Sequence, residues 1–271
     1  MSERPNIIDI EDPDDPRVED FRDVRERDLV RRGGFIAEGA VVLDHLIGSA
    51  RFGPTALLIL ESRLAGLGSR LARLPADVPI YVTGREVFDR IAGFPVNRGV
   101  LAHAEDRGGG SDASQMLAAA RARGRPVVVL IGLSNHDNVG AIFRNAAAFG
   151  AGAVLLDATS CHPLYRKALR VSVGTVLTVP WRYGGASEDI AEMVEAAGFR
   201  PIALAPGGDT GLAAVAEGGP AALFLGSEGD GLPPGLMGRM RTVRIAMEPA
   251  LDSLNVATSA AIVLHALYSA A

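Results

Sequence analysis

The stretch PVVVLIGLSNHDNVGAIFRN, residues 126–145, decides the fold of the C-terminal half of this chain. Residues 126–133 are apolar without alternation, which is typical of a buried parallel strand. Polar residues that favour helix N-termini follow at 134–138, and Ile142 and Phe143 begin an apolar pattern with helical spacing. The sequence therefore predicts that Asn138 and Arg144 lie where a strand hands over to a helix, which is where open α/β sheets bind ligands. An arginine in the second turn of this helix, among small and apolar residues, is unusual for a surface position.

Strand-like and helix-like segments alternate on both sides of this stretch. After it, four segments are predicted as strands, at residues 153–156, 200–204, 222–225 and 242–245, and a final apolar helix is predicted at about 256–268. Strands that alternate with helices are typical of a parallel α/β domain.

A smaller unit precedes the stretch. Strands are predicted at residues 56–60 and 80–83, and helical segments, including 38–46, surround them, which indicates an α/β/α unit of roughly 100 residues. A flexible glycine-rich segment begins at residue 107. We therefore predict three parts of the chain: an N-terminal domain at 1–106, a linker at 107–124 and a C-terminal domain at 125–271.

Composition excludes several classes of protein. With 48% hydrophobic and 22% charged residues in 271, the chain has the composition of a globular protein with a sizeable core. Apolar runs fall short of the roughly 20 residues that cross a bilayer, and the first 20 residues are acidic rather than signal-like. The lone cysteine, Cys161, excludes a disulfide framework within the chain and a multi-cysteine zinc site. We expect a cytoplasmic protein with no metal and no membrane contact.

The formal net charge of −5 argues against non-specific binding of nucleic acid over the whole surface. Any such contact must come from local clusters of basic residues, of which the sequence has two. One contains Arg22, Arg25, Arg27, Arg31 and Arg32, and the other contains Arg166, Lys167 and Arg170. The first cluster is interleaved with acids, so a solvated helix face explains it equally well.

Two further strand ends carry polar loops. The first is the turn at residues 226–231, in which Glu228 is held between glycines that permit positive φ and close approach of a ligand. A strand-ending turn without function is the alternative for this segment. The second loop leads into the final helix, where Asp252 or Ser253 is expected to cap the helix but Asn255 has no such explanation. Because the carboxyl ends of parallel strands meet at one edge, the three loops are expected to form one site.

The three polar segments that follow these strands, in this order and separation, resemble the three motifs of the SpoU/TrmH family of RNA 2′-O-ribose methyltransferases in the SPOUT superfamily. The motifs match residues 138–144, 226–229 and 253–256, and the stretch 163–174 between them is also similar to the family. Residues 34–39 resemble, more loosely, the L30e-like substrate-binding domain that many members carry.

This resemblance implies a C-terminal SPOUT α/β domain tied in a deep trefoil knot, which is an exception to the rule that connections do not thread loops. It also implies S-adenosylmethionine as cofactor, RNA as substrate, and a homodimer formed through the C-terminal domain. The residues that the resemblance assigns to cofactor binding are Leu204, Ala205, Gly226, Ser227, Gly229, Ile245, Met247, Ser253 and Leu254.

The implied reaction is transfer of a methyl group from a sulfonium to a ribose 2′-hydroxyl, which requires alignment of the two groups and removal of the hydroxyl proton. The resemblance assigns catalytic roles to Arg144, Asn138, Glu228, Ser253 and Asn255. Arg144 matches the arginine proposed in the family as the base. A guanidinium has a pKa above 12, so a base near pH 8 needs a shift of roughly 5 units, or about 7 kcal/mol. Bidentate binding of an RNA phosphate is an equal alternative for this residue.

Two other functions compete with this interpretation. A non-catalytic RNA-binding protein on the same fold is the alternative, although the complete set of motif residues argues against it. A nucleotide-dependent oxidoreductase ranks last, because the sequence lacks the G-x-G-x-x-G fingerprint after its first parallel strand. Whether the substrate is transfer RNA or ribosomal RNA is left open.

Overall fold

The computed structural model consists of two compact units that are interleaved in sequence. The N-terminal unit comprises Met1–Gly109 and Leu164–Thr178, and the C-terminal unit comprises Gly110–Pro163 and Val179–Ala271. The structure describes residues 6–22, 24–93, 97–108, 112–248 and 250–270.

This division differs in two places from the prediction of an N-terminal domain, a linker and a C-terminal domain in three consecutive segments. Ala113–Ala122, within the predicted linker, is helix α6, and its buried side chains belong to the C-terminal unit because Met116 and Leu117 join the core of that unit. Residues 164–178 return to the N-terminal unit. Of the predicted linker, residues 109–111 lie outside the described residues.

The N-terminal unit is built on a five-stranded mixed sheet with the order β1-β4-β3-β5-β2. Strand β1 pairs with β4 and β4 with β3 in parallel, whereas β5 runs antiparallel to both β3 and β2. The strands are β1 Ile7–Asp9, β2 Gly34–Glu38, β3 Phe52–Leu60, β4 Ile80–Thr83 and β5 Val100–Asp106. The helices are α1 Glu26–Arg31, α2 Ala40–Ile47, α3 Glu61–Leu64, α4 Gly68–Leu71, α5 Arg85–Ala92 and, from the second segment of the unit, α8 Arg166–Val171.

The C-terminal unit is built on a seven-stranded sheet with the order β10-β12-β9-β11-β6-β7-β8, in which every pairing is parallel. The strands are β6 Val127–Leu130, β7 Ala153–Leu156, β8 Trp181–Tyr183, β9 Arg200–Leu204, β10 Thr210–Gly211, β11 Ala221–Leu225 and β12 Arg241–Arg244. Besides α6, the helices are α7 His136–Ala148, α9 Ser187–Ala196, α10 Pro234–Met237 and α11 Val256–Ser269. The predicted α/β class with a parallel sheet is confirmed.

The central strands of this sheet are buried on both faces. Every residue of β6, β7 and β11 is buried, because helices cover both sides of a parallel sheet. This burial explains why the sequence of residues 127–130 shows no alternation of apolar and polar residues. In the described part of the chain, no helix has the length and apolar character needed to cross a membrane.

Removal of a large side chain from this core is expected to destabilise the C-terminal unit. Phe224 in β11 is fully buried, so Phe224→Ala should lower the free energy of unfolding by about 3–5 kcal/mol. The chain has one tryptophan, Trp181, and it is buried in the same unit, so its fluorescence in a urea titration reports unfolding there. Leu251→Ala is the matched control, because Leu251 is exposed, and should change stability by less than about 0.5 kcal/mol. Equal effects of the two substitutions would contradict this account of the core.

Candidate functional site

A cavity of about 530 Å³ lies at the carboxyl edge of the seven-stranded sheet. Three loops line it, and they follow β9, β11 and β12. The first residues of α11 complete the wall. The lining residues are Leu204, Ala205, Pro206, Leu225, Gly226, Ser227, Glu228, Gly229, Asp230, Gly231, Ile245, Met247, Ser253, Leu254, Asn255, Val256 and Ser259. Parallel strands place all these loops at one edge, as the sequence predicts.

Behind this cavity, a series of hydrogen bonds joins the three segments that carry the sequence motifs, which follow β6, β11 and β12. The amide Nδ2 of Asn138 donates to Oε1 of Glu228. Nδ2 of Asn255 donates to Oδ1 of Asn138 at 2.9 Å. Oδ1 of Asn255 accepts from the backbone N–H groups of Ala257 at 2.9 Å and Thr258 at 3.2 Å. This series runs from the N-terminus of α11 through the amides of Asn255 and Asn138 to the carboxylate of Glu228. It therefore connects segments that lie far apart in sequence.

The direction of these bonds determines how both amide groups are oriented. Asn138 is buried, with 6% of its surface exposed, and both ends of its amide have a partner of the correct type. Every donor in the series points from the N-terminus of α11 towards the negative charge of Glu228, so the dipoles are aligned and reinforce each other. A flipped amide at either asparagine would bring two donors or two acceptors together.

The caps of the two helices differ in detail from the sequence prediction. Asn255, not Asp252 or Ser253, is the N-cap residue of α11, because α11 begins at Val256 and a cap directly precedes the first helical residue. Asn135 caps α7 by accepting from the backbone N–H of Asp137, so Asn138 lies inside the first turn of α7 rather than before it. In that position its side chain points towards the neighbouring loops.

The turn after β11 requires glycine at its first position. A Cβ atom on Gly226 would lie 2.2 Å from the backbone carbon of Gly231 and 2.3 Å from the backbone nitrogen of Leu232, which no real contact permits. Gly231 has φ of +71°, and Ser227 and Gly231 form an isolated antiparallel bridge that closes the turn. Any residue other than glycine at position 226 would therefore prevent the turn from closing.

The structure brings together most of the residues that the sequence singled out. All nine residues assigned to cofactor binding line the cavity, and so do Glu228, Ser253 and Asn255. Asn138 lies behind the wall and reaches it through its two hydrogen bonds.

Arg144 is the exception among these residues. It is exposed on α7, it does not line the cavity, and it forms no hydrogen bond or ion pair with any residue that the structure describes. The unusual position that the sequence indicated is therefore a solvent-facing one. Neighbours at Ile142, Phe143 and Ala146 are buried, so the apolar surroundings in sequence belong to the opposite side of the helix.

A buried carboxylate next to the site was not singled out in the sequence analysis. Asp157 follows β7, and its Oδ1 accepts from the backbone N–H of Gly132 at 3.0 Å and from Oγ of Ser160 at 2.6 Å. Oγ of Ser160 in turn accepts from the backbone N–H of Leu133 at 3.1 Å. Asp157 thus ties the loop after β6 to the loop after β7. An aspartate at a strand end, followed closely by Thr159 and Ser160, is the signal in the sequence that indicates this role.

The remaining reactive groups near the site offer little chemistry of their own. Burial, with a smaller contribution from the negative charge of Glu228, raises the pKa of the Cys161 thiol to about 12. In the described ranges, no group of three or more His, Cys, Asp or Glu side chains is arranged to hold a metal ion. The site therefore consists of a cavity with apolar side chains, serine hydroxyls, backbone groups and two carboxylates, Glu228 and Asp230.

Comparison with known proteins gives three consistent findings. Residues 125–265 match the model of the SpoU rRNA Methylase family. An uncharacterized tRNA/rRNA methyltransferase of Mycobacterium tuberculosis is 40% identical over 274 residues, which cover 96% of this chain and 91% of the relative.

Solved structures are similar over nearly the whole chain. An AdoMet-bound rRNA methyltransferase from Sinorhizobium meliloti superimposes with a TM-score of 0.80 at 23% identity, covering 97% of each chain. A structure described as an RNA 2′-O ribose methyltransferase superimposes with a TM-score of 0.78 at 21% identity, covering 96% of this chain and 98% of the other. At these identities the structures show a shared fold across both units.

The Cys161 thiol is expected to be unreactive in the folded protein. With a pKa of about 12 instead of 9.0, the thiolate fraction of Cys161 at pH 8 is smaller by about a thousandfold. This fraction matters because only the thiolate attacks a disulfide reagent. Reaction with Ellman's reagent at pH 8 should therefore be slower than that of a model thiol by about 30-fold or more, because the greater nucleophilicity of a more basic thiolate offsets only part of the loss. The same protein in concentrated urea is the control and should react at the ordinary rate. Rapid labelling of the folded protein would show that burial does not protect the thiol.

Proposed function

The chain belongs to the SpoU rRNA Methylase family, and we propose that it transfers a methyl group from S-adenosylmethionine to a ribose 2′-hydroxyl of transfer or ribosomal RNA. The resemblance of its three motifs to this family is thereby confirmed, and the coarser activity, RNA methylation, follows from membership. The observation that carries the finer proposal is the series Glu228–Asn138–Asn255, which joins all three motif loops around one cavity.

The residues that line the cavity fit S-adenosylmethionine. Gly226, Gly229 and Gly231 line the cavity, and without side chains they let the backbone of the turn approach a ligand closely. Leu204, Ile245 and Leu254 offer apolar surface for a flat adenine, while backbone groups and the hydroxyls of the serines offer hydrogen bonds. The cofactor, when bound, supplies an electrophilic methyl group on its sulfonium. The apolar side chains of the cavity wall reduce the access of water that would compete with the ribose hydroxyl.

We assign the polar series a positioning role in this reaction. Glu228 and Asn255 line the cavity and are held in one orientation by the buried amide of Asn138. A pre-oriented wall reduces the entropy that must be lost when hydroxyl and methyl group are aligned. We assign Ser253, which lines the same wall, to the groups that contact the ribose or the cofactor.

For Arg144 we favour binding of an RNA phosphate beside the reacting ribose. Its guanidinium is exposed and is not engaged by another described residue, so it is available for bidentate contact with an anion. The alternative role, the base that the family resemblance implies, needs a neutral guanidinium, whereas binding of phosphate uses the ordinary charged form of the side chain. The two roles therefore predict different dependence on pH.

Other parts of the assignment rest on the family resemblance and remain proposals. They are the deep trefoil knot, the homodimer formed through the C-terminal domain, the cytoplasmic location and the role of the L30e-like N-terminal domain in RNA binding. Tyr268 on α11 is 61% exposed, which supports an interface on that helix because large exposed aromatic side chains are enriched at such surfaces.

Identification of the methylated nucleoside tests the proposed function. The purified protein is incubated with S-adenosylmethionine carrying a labelled methyl group and with RNA from cells that lack the protein. The RNA is then digested to nucleosides for mass spectrometry. We expect label on the ribose of a 2′-O-methylnucleoside. Label on a base would overturn the ribose assignment, and RNA binding without transfer would indicate a non-catalytic RNA-binding protein.

Arg144→Ala is expected to lower kcat/KM for methyl transfer by about 100-fold or more, because it removes a group that contacts the RNA only near the reacting ribose. Calorimetric affinity for S-adenosylmethionine should be unchanged, since Arg144 does not line the cavity. Arg123→Ala, which removes another exposed arginine of the same unit, is the control and should retain activity.

The pH dependence separates the two roles of Arg144. If it binds phosphate, Arg144→Lys should recover part of the activity with an unchanged pH profile, because lysine retains the charge. If it is the base, the profile should shift with the substitution. Loss of cofactor binding in Arg144→Ala would instead show that the residue acts on the structure of the cavity.

A further inference from the structure

The two basic clusters of the sequence meet in the N-terminal unit. Helices α1 and α8 both pack against β2, although the segments are 140 residues apart in the chain. The backbone N–H of Arg166 donates to Oε2 of Glu26 at 3.3 Å, and Nε of Arg166 lies 3.6 Å from Oε1 of the same carboxylate. Residues 25–32 and 166–170 therefore form one surface, called here the α1–α8 surface.

This surface is strongly cationic on a chain whose formal net charge is −5. The anionic residues in these two segments are Glu26 and Asp28, and each has an arginine partner, Arg166 and Arg27 respectively. The cationic residues are Arg25, Arg27, Arg31, Arg32, Arg166, Lys167 and Arg170. Pairing of both acids leaves an excess of positive charge, so the surface attracts polyanions.

Four of these arginines are available for an external partner. Arg25, Arg31, Arg32 and Arg170 are exposed, and none of them forms an ion pair with a described residue. Arg170 lies four residues after Arg166 on α8, so the two side chains are on the same helical face.

A cavity of about 580 Å³ opens beside these charges, and all its described lining belongs to the N-terminal unit. Its walls include the buried apolar residues Phe21, Ile36 and Leu101. Arg25 and Arg166 lie at the same cavity, together with Glu26. The surface thus combines arginines with an adjacent recess whose wall includes apolar residues.

Single-stranded RNA has the chemistry that fits this combination. Its phosphates match the planar fork of arginine, and its unstacked bases are flat, largely apolar groups that enter recesses beside the backbone. An acidic polypeptide would pair with the arginines, but its anionic residues do not each carry a flat group that could enter the recess.

We propose that the α1–α8 surface binds a single-stranded segment of the RNA substrate, with phosphates at Arg25 and Arg170 and one unstacked base in the cavity. This proposal rests on the proposed function, because it takes the RNA substrate as the ligand. It adds a recognition site outside the cavity at the carboxyl edge of the seven-stranded sheet.

Fluorescence anisotropy with a labelled single-stranded RNA of mixed sequence, about 12 nucleotides long, tests the charges. The double variant Arg25→Gln/Arg170→Gln should raise Kd by about tenfold or more, and should reduce the slope of log Kd against log salt by about 1.4 between about 50 and 200 mM KCl. The matched control, Arg63→Gln/Arg73→Gln, removes two exposed arginines from another part of the same unit and should change neither quantity.

A second pair of variants tests the recess without a change of charge. Ala92 lines the cavity, so Ala92→Leu should fill it and raise Kd by about tenfold while leaving the salt slope unchanged. Ala92→Ser leaves the cavity open and should bind like the wild type. Thermal unfolding of each variant checks that the N-terminal unit is intact.

The proposal is overturned if Arg25→Gln/Arg170→Gln behaves like its control, if Ala92→Leu behaves like Ala92→Ser, or if polyglutamate displaces the RNA at equal charge concentration. Methylation assays with the same variants keep the two proposals distinct. We expect a raised KM for RNA with unchanged kcat in Arg25→Gln/Arg170→Gln. Normal methylation by this variant would contradict RNA binding at the α1–α8 surface but not the proposed function. RNA binding by the wild type without ribose methylation would contradict the proposed function but not RNA binding at this surface.

Discussion

The hydrogen-bonded series from the N-terminus of α11 through Asn255 and Asn138 to Glu228 is the interaction on which the site depends. Buried amides must find partners of the correct type, and loss of one partner costs about 1–3 kcal/mol. Here one arrangement satisfies both amides, so the loops after β6, β11 and β12 are held in a single relative position. The same groups that stabilise the loops therefore shape the cavity that the proposed chemistry requires.

The two units serve different parts of the proposed function. The parallel sheet of the C-terminal unit collects loops at one edge, and the tight turn at Gly226 forms part of the cavity wall there. The N-terminal unit contributes the α1–α8 surface, whose arginines are spread over helices from both segments of that unit. A net negative chain can in this way bind RNA locally, because cationic residues outnumber anionic ones on the α1–α8 surface.

Sequence reasoning succeeded where local pattern and chain direction are sufficient. The buried strands β6, β7, β9 and β11 and the terminal helix α11 were predicted to within a few residues, since their apolar runs are long and unambiguous. Strands β1, β8 and β10 were missed, because segments of two or three residues carry no periodicity. Strands β2 and β5 are longer and were also missed; β2 ends at Glu38, where the sequence analysis predicted the start of a helix. The structural part played by Asp157 was missed because one of its partners, the backbone N–H of Gly132, comes from the loop after β6.

The sequence by itself determined the α/β class, the family and the edge of the sheet at which the site lies, because motifs at strand ends and a parallel sheet leave one location for all three loops. Only the tertiary structure decided that Asn255 caps α11, that Asn138 bonds to Glu228, and that Arg144 faces solvent. It alone decided that residues 164–178 join the N-terminal unit and merge two basic clusters. Hydrogen bonds and packing between distant segments depend on three-dimensional positions, which no local pattern of residues specifies.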